Sequence, residues 1–301
     1  AEEWHGKQKG RWTSDHAKRV WVSLEQDVFP FIGSRMIGDI KTLDCLSVIR
    51  AVEERGALDV AGRVKQRMSS VFRYAVQTAR IDFNPADQLQ GVITTRMVTH
   101  RASLKAEVLP NFLKALDDYR GHELTRLALN LLLLTFVRPG ELRAARWDEF
   151  HLRAKQWRIP AGRMKMREEH IVPLSKQAIQ ILKQLKDLTG RFELVFPGIR
   201  DIRRPMSENT LTFAIRKRLG FNATAHGFRS TASTVLNEAG FRPDVIERQL
   251  AHAERNKVRA AYNHSQYLAE RSEMVQWWAD YLDDQRAGEK VVSIHRKRKG
   301  H

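Results

Sequence analysis

The sequence predicts a mainly helical protein with two domains and one small antiparallel sheet. Apolar residues recur at helical spacing through most of the 301 residues, and short strand-like segments occur only in the second half. The length suits two domains of ordinary size. A few short strands among many helices are typical of a mostly α domain that carries a minor sheet.

Three helices are predicted in the first ninety residues. Thr13 and Thr42 are the expected N-caps of the first two, and the third runs from about Leu58 to Arg80. Away from its apolar side, the third helix has five basic residues against one acid, Asp59. Most charged faces are simply solvated, but this imbalance favours contact with phosphates. The predicted DNA contacts on this helix are Arg63, Lys65, Arg67 and Arg73.

The second half is predicted to mix long helices with short strands. The apolar segment 127–137 is too short to cross a bilayer and indicates a buried helix. Strands are expected at 156–160, 169–175 and 193–197. Helices are expected to fill the remainder, up to a basic tail.

Positive charge dominates the composition. Lys and Arg number 52 against 35 Asp and Glu, which leaves a formal net charge of +17. Nucleic acid is the expected partner, because each phosphate contact releases counterions and strengthens binding. A membrane surface is the alternative, but the basic residues are spread along the chain rather than gathered on one amphipathic helix.

Cysteine usage indicates the compartment, and the first residues indicate whether the chain is a fragment. The single cysteine, Cys45, excludes an internal disulfide and fits a reducing cytoplasm, and its apolar helical position favours a core role. No signal-peptide pattern is visible. Because the chain begins at Ala1, without Met and within an amphipathic stretch, we expect a fragment that lacks an N-terminal domain.

Candidate phosphate-binding groups occur at two helix boundaries. Arg138 is predicted where a long apolar helix ends and Pro139 starts another. His226 and Arg229 are three residues apart, so on a helix they face the same way and one phosphate can touch both. Gly227 between them lets a backbone segment approach closely. Each of these, taken alone, also fits an ordinary structural role.

Two further candidates would carry protons. Lys165 is expected on a turn between two strands, from which it can donate a proton to a leaving oxygen, although Arg163 and Arg167 beside it are alternatives. His252 follows a predicted helix and can hydrogen-bond a phosphate oxygen or pass a proton. A lone histidine at a helix end is more often structural.

Tyr262 is the candidate nucleophile. With a free pKa near 10, a tyrosine needs cationic neighbours or a base, which the groups above supply. Tyr267 is five residues on, about 140° around a helix, so both tyrosines cannot face one phosphate. No His, Cys or Asp cluster has metal-ligand spacing, so neither a metal nor another cofactor is expected.

Six ordered motifs make the chain resemble the tyrosine recombinase family, and in particular prophage and genomic-island integrases of the phage P4 type. The resemblance covers essentially the whole chain from about residue 5. The motifs are TFVRPGELRAARW, RMKMREEHIVPLS, AHGFRSTAST, QLAHAERN, VRAAYNHSQYL and MVQWWADYL.

The resemblance implies a role for each candidate. Arg138, His226 and Arg229 would bind the scissile phosphate. Lys165 would protonate the 5′ oxygen, His252 would assist, and Tyr262 would attack to form a 3′-phosphotyrosine link. Glu141 matches a supporting acidic position that orients its neighbours. Ala251 departs from the pattern, because many relatives have Gly before the histidine.

The implied organisation is a tyrosine recombinase fold of two domains. We expect a helical core-type DNA-binding domain at 1–90, a linker at 91–103, a mostly α catalytic domain at 104–285 and a basic tail at 286–301. Arg163 and Arg167 join the predicted DNA contacts. The helix at 270–285 is expected to dock either on a neighbouring protomer or on its own domain.

The implied function is a site-specific recombinase, an integrase that inserts and excises a mobile element. Its expected partners are double-stranded DNA attachment sites, three further copies in a homotetramer, an excisionase and a host DNA-bending protein. The expected location is the cytoplasm, at the nucleoid. The alternatives are a catalytically silent DNA-binding protein of the same fold and an enzyme of the type IB topoisomerase kind.

Overall fold

The chain forms two compact units in the computed structural model. They comprise Ala1–Thr99 and His100–His301. The structure describes residues 1–93, 102–164, 167–252 and 267–288. The candidates Lys165 and Tyr262, most of the predicted linker and most of the predicted tail therefore lie outside the described residues.

The first unit is helical around one apolar core. Its helices are α1 (Glu2–Lys9), α2 (Ser14–Asp27), α3 (Phe29–Ile32), α4 (Thr42–Glu54) and α5 (Leu58–Gln77). Helices α2, α4 and α5 contribute most of the buried side chains, which recur three and four residues apart as the helical pattern predicts. Prominent among them are Val20, Leu24, Val48, Ile49, Val64, Met68 and Phe72.

Helix ends in this unit agree only partly with the sequence-based expectations. Thr13 caps α2, since its Oγ1 accepts a hydrogen bond from the backbone N of His16 at 3.3 Å. The expected Thr42 cap is wrong: the backbone N of Lys41 donates to the Asp44 carboxylate at 2.8 Å, and Thr42 lies inside the helix. A carboxylate three residues into a helix reaches back in this way.

The third helix is shorter than predicted. It ends at Gln77 instead of Arg80. Ala79 adopts the left-handed conformation at φ 54°, which stops helical hydrogen bonding.

The second unit is built around one fully embedded helix. Nearly every residue of α7 (Glu123–Thr135) is buried, as expected for a helix that is apolar all round. Among the described residues, the other helices of this unit are α6 (Leu109–Asp117), α8 (Pro139–Arg143), α9 (Lys176–Thr189), α10 (Thr210–Phe213), α11 (Gly227–Glu238), α12 (Pro243–Gln249) and α13 (Leu268–Ala287). Of these, α9, α10, α11 and α13 pack against α7.

A small antiparallel sheet with strand order β1-β2-β3 completes this unit. Its strands are β1 (Phe150–His151), β2 (Gln156–Ile159) and β3 (His170–Pro173). The strands expected at 156–160 and 169–175 are thus confirmed. The buried Trp157 of β2 faces Val172 across the ladder and stacks on Phe150 of β1 at a centroid distance of 4.9 Å.

The strand expected at 193–197 is wrong. This segment makes only isolated bridges, from Leu194 to Arg146 and from Pro197 to Pro205. Its backbone bonds go instead to the irregular segment 145–147, where the N of Val195 donates to the O of Ala145 at 2.9 Å. The segment is too short, and too interrupted by proline, to extend the ladder.

Helix α13 packs on its own unit. Met274, Val275, Trp278 and Leu282 are buried, and Trp278 Nε1 donates to the O of Leu133 at 2.8 Å. The apolar face of this helix is therefore covered within one chain, which is one of the two arrangements considered from the sequence. Across the described part of the chain, no helix is long and apolar enough to cross a membrane.

A buried histidine joins the sheet to α12. His170 of β3 is almost fully buried, and its Nε2 lies 3.2 Å from the O of Gln249. Burial, and next the positive charge of Arg271, lower the pKa of His170 from 6.5 to about 3. The imidazole is therefore neutral in the folded protein at neutral pH, and Nε2–H donates to the carbonyl.

This buried histidine makes stability depend on pH. The pKa of His170 is lower in the folded protein than in the unfolded chain. The contribution of His170 to the free energy of unfolding is therefore complete above pH 6.5 and is lost as the pH falls towards 3. The free energy of unfolding of the wild type, relative to His170→Gln, should therefore fall by about 1 kcal/mol between pH 6 and pH 5. Urea unfolding at both pH values measures this difference. A difference that does not change with pH would contradict it.

Candidate active site

Arg138 lies at a helix junction, as the sequence predicts. Helix α7 ends at the left-handed Phe136, and Pro139 starts α8 directly after Arg138. The Glu141 carboxylate accepts from the backbone N of Arg138 at 2.8 Å and from its Nη1 at 2.7 Å. One acidic residue therefore both caps the short helix and orients the guanidinium, which supports the role that was expected for Glu141.

Arg229 lies in the first turn of α11 and is almost enclosed, with 5% of its surface exposed. Its Nη1 donates to the O of Phe136 at 2.8 Å and its Nη2 to the O of Leu250 at 2.5 Å. Burial, and next the positive charge of Arg138, lower the pKa of Arg229 to about 10. The group still carries its charge at neutral pH, beside a second cation.

The end of α12 supplies acceptors for both guanidinium groups. The N of Ala251 donates to the O of Arg248 and the N of His252 to the O of Glu247, both at 3.1 Å, which is the Schellman pattern of helix termination. The helix thus leaves the Leu250 and Ala251 carbonyls unused by its own backbone ladder. Leu250 accepts from Arg229, and Ala251 accepts from Arg138 Nη2 at 2.9 Å.

The Schellman pattern at the end of α12 explains why glycine is the residue expected at the position of Ala251. The pattern requires a left-handed residue, and Ala251 has φ 49°. Glycine adopts this conformation without steric cost, whereas a residue with a Cβ is strained by about 1 kcal/mol or more. The preference for Gly in relatives therefore has a backbone cause.

His252 is held between a cation and a carboxylate. Its Nε2 lies 3.2 Å from Arg229 Nη2, and its Nδ1 lies 2.7 Å from Glu247 Oε2. A neutral imidazole with its hydrogen on Nδ1 satisfies both contacts. Glu247 was not identified from the sequence, although its place one turn earlier on the predicted helix was a usable signal.

His226 is the N-cap residue of α11, three residues before Arg229. The backbone N of Arg229 donates to the O of His226 at 3.2 Å, so both belong to the same first turn. A Cβ on Gly227 would lie 2.3 Å from the O of Ala102, which confirms that glycine permits a close backbone approach here.

The neighbours of Lys165 differ in what they contact. Arg163 is mostly buried and bonds to the Glu149 carboxylate and, at 2.6 Å, to the O of Glu141. The Arg163 guanidinium therefore holds the backbone of Glu141 in place. Arg167, in contrast, is exposed and has φ 56°. Tyr267, the alternative tyrosine, is the N-cap of α13 and packs under the Arg242 guanidinium at 5.2 Å.

The basic residues predicted on α5 do not share one surface. Arg63 and Arg67, one helical turn apart, line a cavity of about 350 Å³ together with Lys18 and Arg19 of α2, and one acidic residue, Asp27, also lines it. Burial, and next the charge of Arg63, lower the pKa of Arg67. We call the surface formed by Lys18, Arg19, Arg63 and Arg67 the basic groove.

The other two predicted contacts of α5 lie elsewhere. Lys65 donates to Gln90 Oε1 at 3.2 Å, and Arg73 donates to Ser69 Oγ at 3.3 Å and lies 3.7 Å from Asp87. These residues are engaged with the surface of their own unit.

Arg138, Arg229 and His252, which we call the arginine–histidine cluster, form a site suited to one phosphate. A guanidinium has N–H donors in a planar fork that matches phosphate oxygens, and two neighbouring cations gain most when an anion lies between them. Within the described ranges, no group of three or more His, Cys, Asp or Glu residues is placed to hold a metal ion. The arrangement can bind and polarise a phosphodiester.

Comparison with known proteins identifies relatives for both units. The phage integrase central domain matches residues 1–92, and the phage integrase family matches residues 102–268. The integrase of Enterobacteria phage P4 is 48% identical, over 98% of this chain and 70% of that protein. Prophage integrase IntA of Escherichia coli (strain K12) is 40% identical, over 97% of this chain and 71% of that protein.

Solved structures share the fold at low sequence identity. A lambda integrase(75–356) dimer bound to a COC′ core site has a TM-score of 0.68 at 18% identity, covering 84% of this chain and 93% of that chain. A lambda integrase tetramer bound to a Holliday junction also has a TM-score of 0.68 at 18% identity, covering 85% of this chain and 77% of that chain.

Proposed function

This chain belongs to the phage integrase family of tyrosine site-specific recombinases, and we propose that it cleaves and rejoins DNA at the arginine–histidine cluster. One observation carries the proposal: residues that are far apart in sequence, Arg138, Arg229 and His252, meet at the end of α12 through bonds of 2.5 to 3.2 Å. His226 lies at the N-terminus of α11, in the same turn as Arg229, where the helix favours an anion.

The cluster would act mainly through positioned charge. Phosphoryl transfer needs cations around the non-bridging oxygens more than it needs covalent help from the protein. Arg138 and Arg229 would bind these oxygens, and Glu247 would orient the His252 ring beside them. Because both guanidinium groups are already fixed by carbonyl acceptors, little reorganisation is needed when the phosphate binds.

Tyr262 is the proposed nucleophile and Lys165 the proposed general acid. The tyrosine oxygen would lose its proton to water and form a bond to phosphorus while the bond to the 5′ oxygen breaks, and Lys165 would donate a proton to that leaving oxygen. The 3′-phosphotyrosine link keeps the energy of the broken phosphodiester. A 5′ hydroxyl can then attack it to reseal the strand, so no nucleotide is consumed.

We assign separate tasks to the two units. The first, approximately residues 1–90, would be the core-type DNA-binding domain and would hold phosphates in the basic groove. The second, approximately residues 104–285, would be the catalytic domain. The net charge of +17 supports double-stranded DNA as the partner of the chain.

The proposed assembly is a homotetramer on two DNA attachment sites. Recombination exchanges strands between two duplexes, each cut at two positions, so four active sites are needed. An excisionase and a host DNA-bending protein are further proposed partners, which would set the direction of the reaction and the path of the DNA. The proposed place of action is the cytoplasm, at the nucleoid, where the DNA substrate is found.

Tyr262→Phe should abolish covalent attachment to DNA, because phenylalanine has no oxygen to bond to phosphorus. A duplex with the attachment core, nicked near the cleavage position so that the cut is irreversible, traps the adduct on a denaturing gel. The wild type should form the adduct and Tyr262→Phe none. Tyr267→Phe is the matched control and should retain it. Loss of the adduct in Tyr267→Phe with retention in Tyr262→Phe would move the nucleophile.

Paired substitutions on α5 test the basic groove. Replacing Arg63 and Arg67 with Gln should reduce the slope of log affinity against log salt by about 1.8, the value expected for two lost phosphate contacts. Replacing Lys65 and Arg73 with Gln, on the same helix, should change the slope by less than half of that. Filter binding at salt concentrations from about 50 to about 200 mM measures the slope for both pairs of variants. A larger change in the control pair would place the DNA elsewhere.

A further inference from the structure

We propose that Gln249 and Arg271 form a buried positioning pair that sets where β3 and α13 lie relative to the arginine–histidine cluster. Neither residue would touch DNA. The inference rests on the proposed cleavage function, and it assigns a role to two residues that carry none in the site described above.

Arg271 is a fully buried cation near the start of α13, with 0% of its surface exposed. Its Nε donates to Gln249 Oε1 at 2.9 Å and its Nη2 to the O of Ile171, in β3, at 2.5 Å. The guanidinium thus joins three elements, α12, α13 and β3, through bonds whose directions are set by its planar fork.

Gln249 is equally buried and uses both ends of its amide. Oε1 accepts from Arg271, while Nε2 donates to the O of Thr135, at the end of α7, at 3.3 Å. Its backbone O also receives the bond from His170. The side-chain amide therefore has one orientation that satisfies its partners, and a rotation would break bonds to two elements.

Gln249 and the residue to which its amide donates, Thr135, each lie next to acceptors of the cluster along the chain. Gln249 is followed directly by Leu250 and Ala251, whose carbonyls hold Arg229 and Arg138. Thr135 is followed directly by Phe136, the other acceptor of Arg229. A shift of Gln249 would therefore move the groups that orient both guanidinium groups.

The same pair joins the two elements that follow Lys165 and Tyr262 in the sequence. In sequence, Lys165 precedes the first residue of β3 by five positions, and Tyr262 precedes the first residue of α13 by six. Ile171 of β3 and Arg271 of α13 are bonded to each other, so one contact links the elements that follow the proposed acid and the proposed nucleophile.

A purely structural role would not require these residue types. Burying an arginine carries a desolvation cost, and burial lowers the pKa of Arg271 to about 9. Apolar residues of similar volume often stabilise a core equally well or better. Directional bonds from one guanidinium to two elements offer what apolar packing does not, namely a fixed orientation.

The test separates cleavage from binding and from stability. The full chain is prepared as wild type, Arg271→Met, Arg271→Lys and Gln249→Glu, and Leu282→Ala serves as a control that removes buried volume from the same helix. For each, three quantities are measured on the nicked attachment duplex: the single-turnover rate of adduct formation at saturating protein, the dissociation constant and the melting temperature. Rates are compared well below every melting temperature.

Arg271→Met should slow adduct formation by about 10- to 100-fold, the range expected when reacting groups are misplaced by about 1 Å, with the dissociation constant changed by less than about threefold. Arg271→Lys should recover part of the rate, because it keeps one donor. Gln249→Glu keeps the acceptor for Arg271 but loses the donor to Thr135, and it should also slow cleavage. Leu282→Ala should lower the melting temperature and leave the rate within about twofold.

Arg271→Met and Gln249→Glu that cleave at the wild-type rate while folded would overturn the proposal. Equal slowing in Leu282→Ala would do so too, because it would reduce the effect to general stability. If Arg271→Met does not fold, Arg271→Lys and Gln249→Glu decide the outcome. A wild type that forms no adduct would contradict the cleavage function itself, so the two failures are distinguishable.

Discussion

The proposed active site depends on two backbone carbonyls at the end of one short helix. Helix α12 terminates so that the O of Leu250 and the O of Ala251 accept bonds from Arg229 and Arg138. Two cations held close together repel each other, and Arg229 is also nearly buried, so fixed acceptors are needed to keep both in place. The left-handed Ala251 is the local conformation that makes this possible, at some cost in strain.

The fixed orientation of the two guanidinium groups favours the proposed cleavage chemistry. Guanidinium groups that are already oriented need not reorganise as negative charge develops on the phosphate, which is how preorganised sites lower a barrier. His252 comes directly after the two carbonyls and is oriented by Glu247, so the same helix end also positions a third donor or acceptor. Glu141, supported by Arg163, fixes Arg138 from the other side.

Much of this architecture was predictable because its signals are local. Each signal lies within a few residues of the feature that it predicts: Thr13 predicts a helix cap, the Arg138–Pro139 junction a helix start, and Gly227 a close backbone approach. The Thr42 cap is wrong because the helix begins one residue earlier, with Lys41 as the N-cap residue and the Asp44 carboxylate accepting from the Lys41 backbone N–H. The strand at 193–197 failed because its partner is an irregular segment, and the Gln249–Arg271 contact has no periodic signal since its members come together only in the tertiary fold.

The most direct measurement is a crystal structure of Tyr262→Phe bound to an uncut attachment-site duplex. We predict one phosphate within about 3 Å of donors from Arg138 and Arg229 and next to the His252 ring, with the Leu250 and Ala251 carbonyls still accepting from the two guanidinium groups. A scissile phosphate placed away from these three residues, or guanidinium groups that abandon both carbonyls to reach it, would contradict the central role of the α12 terminus.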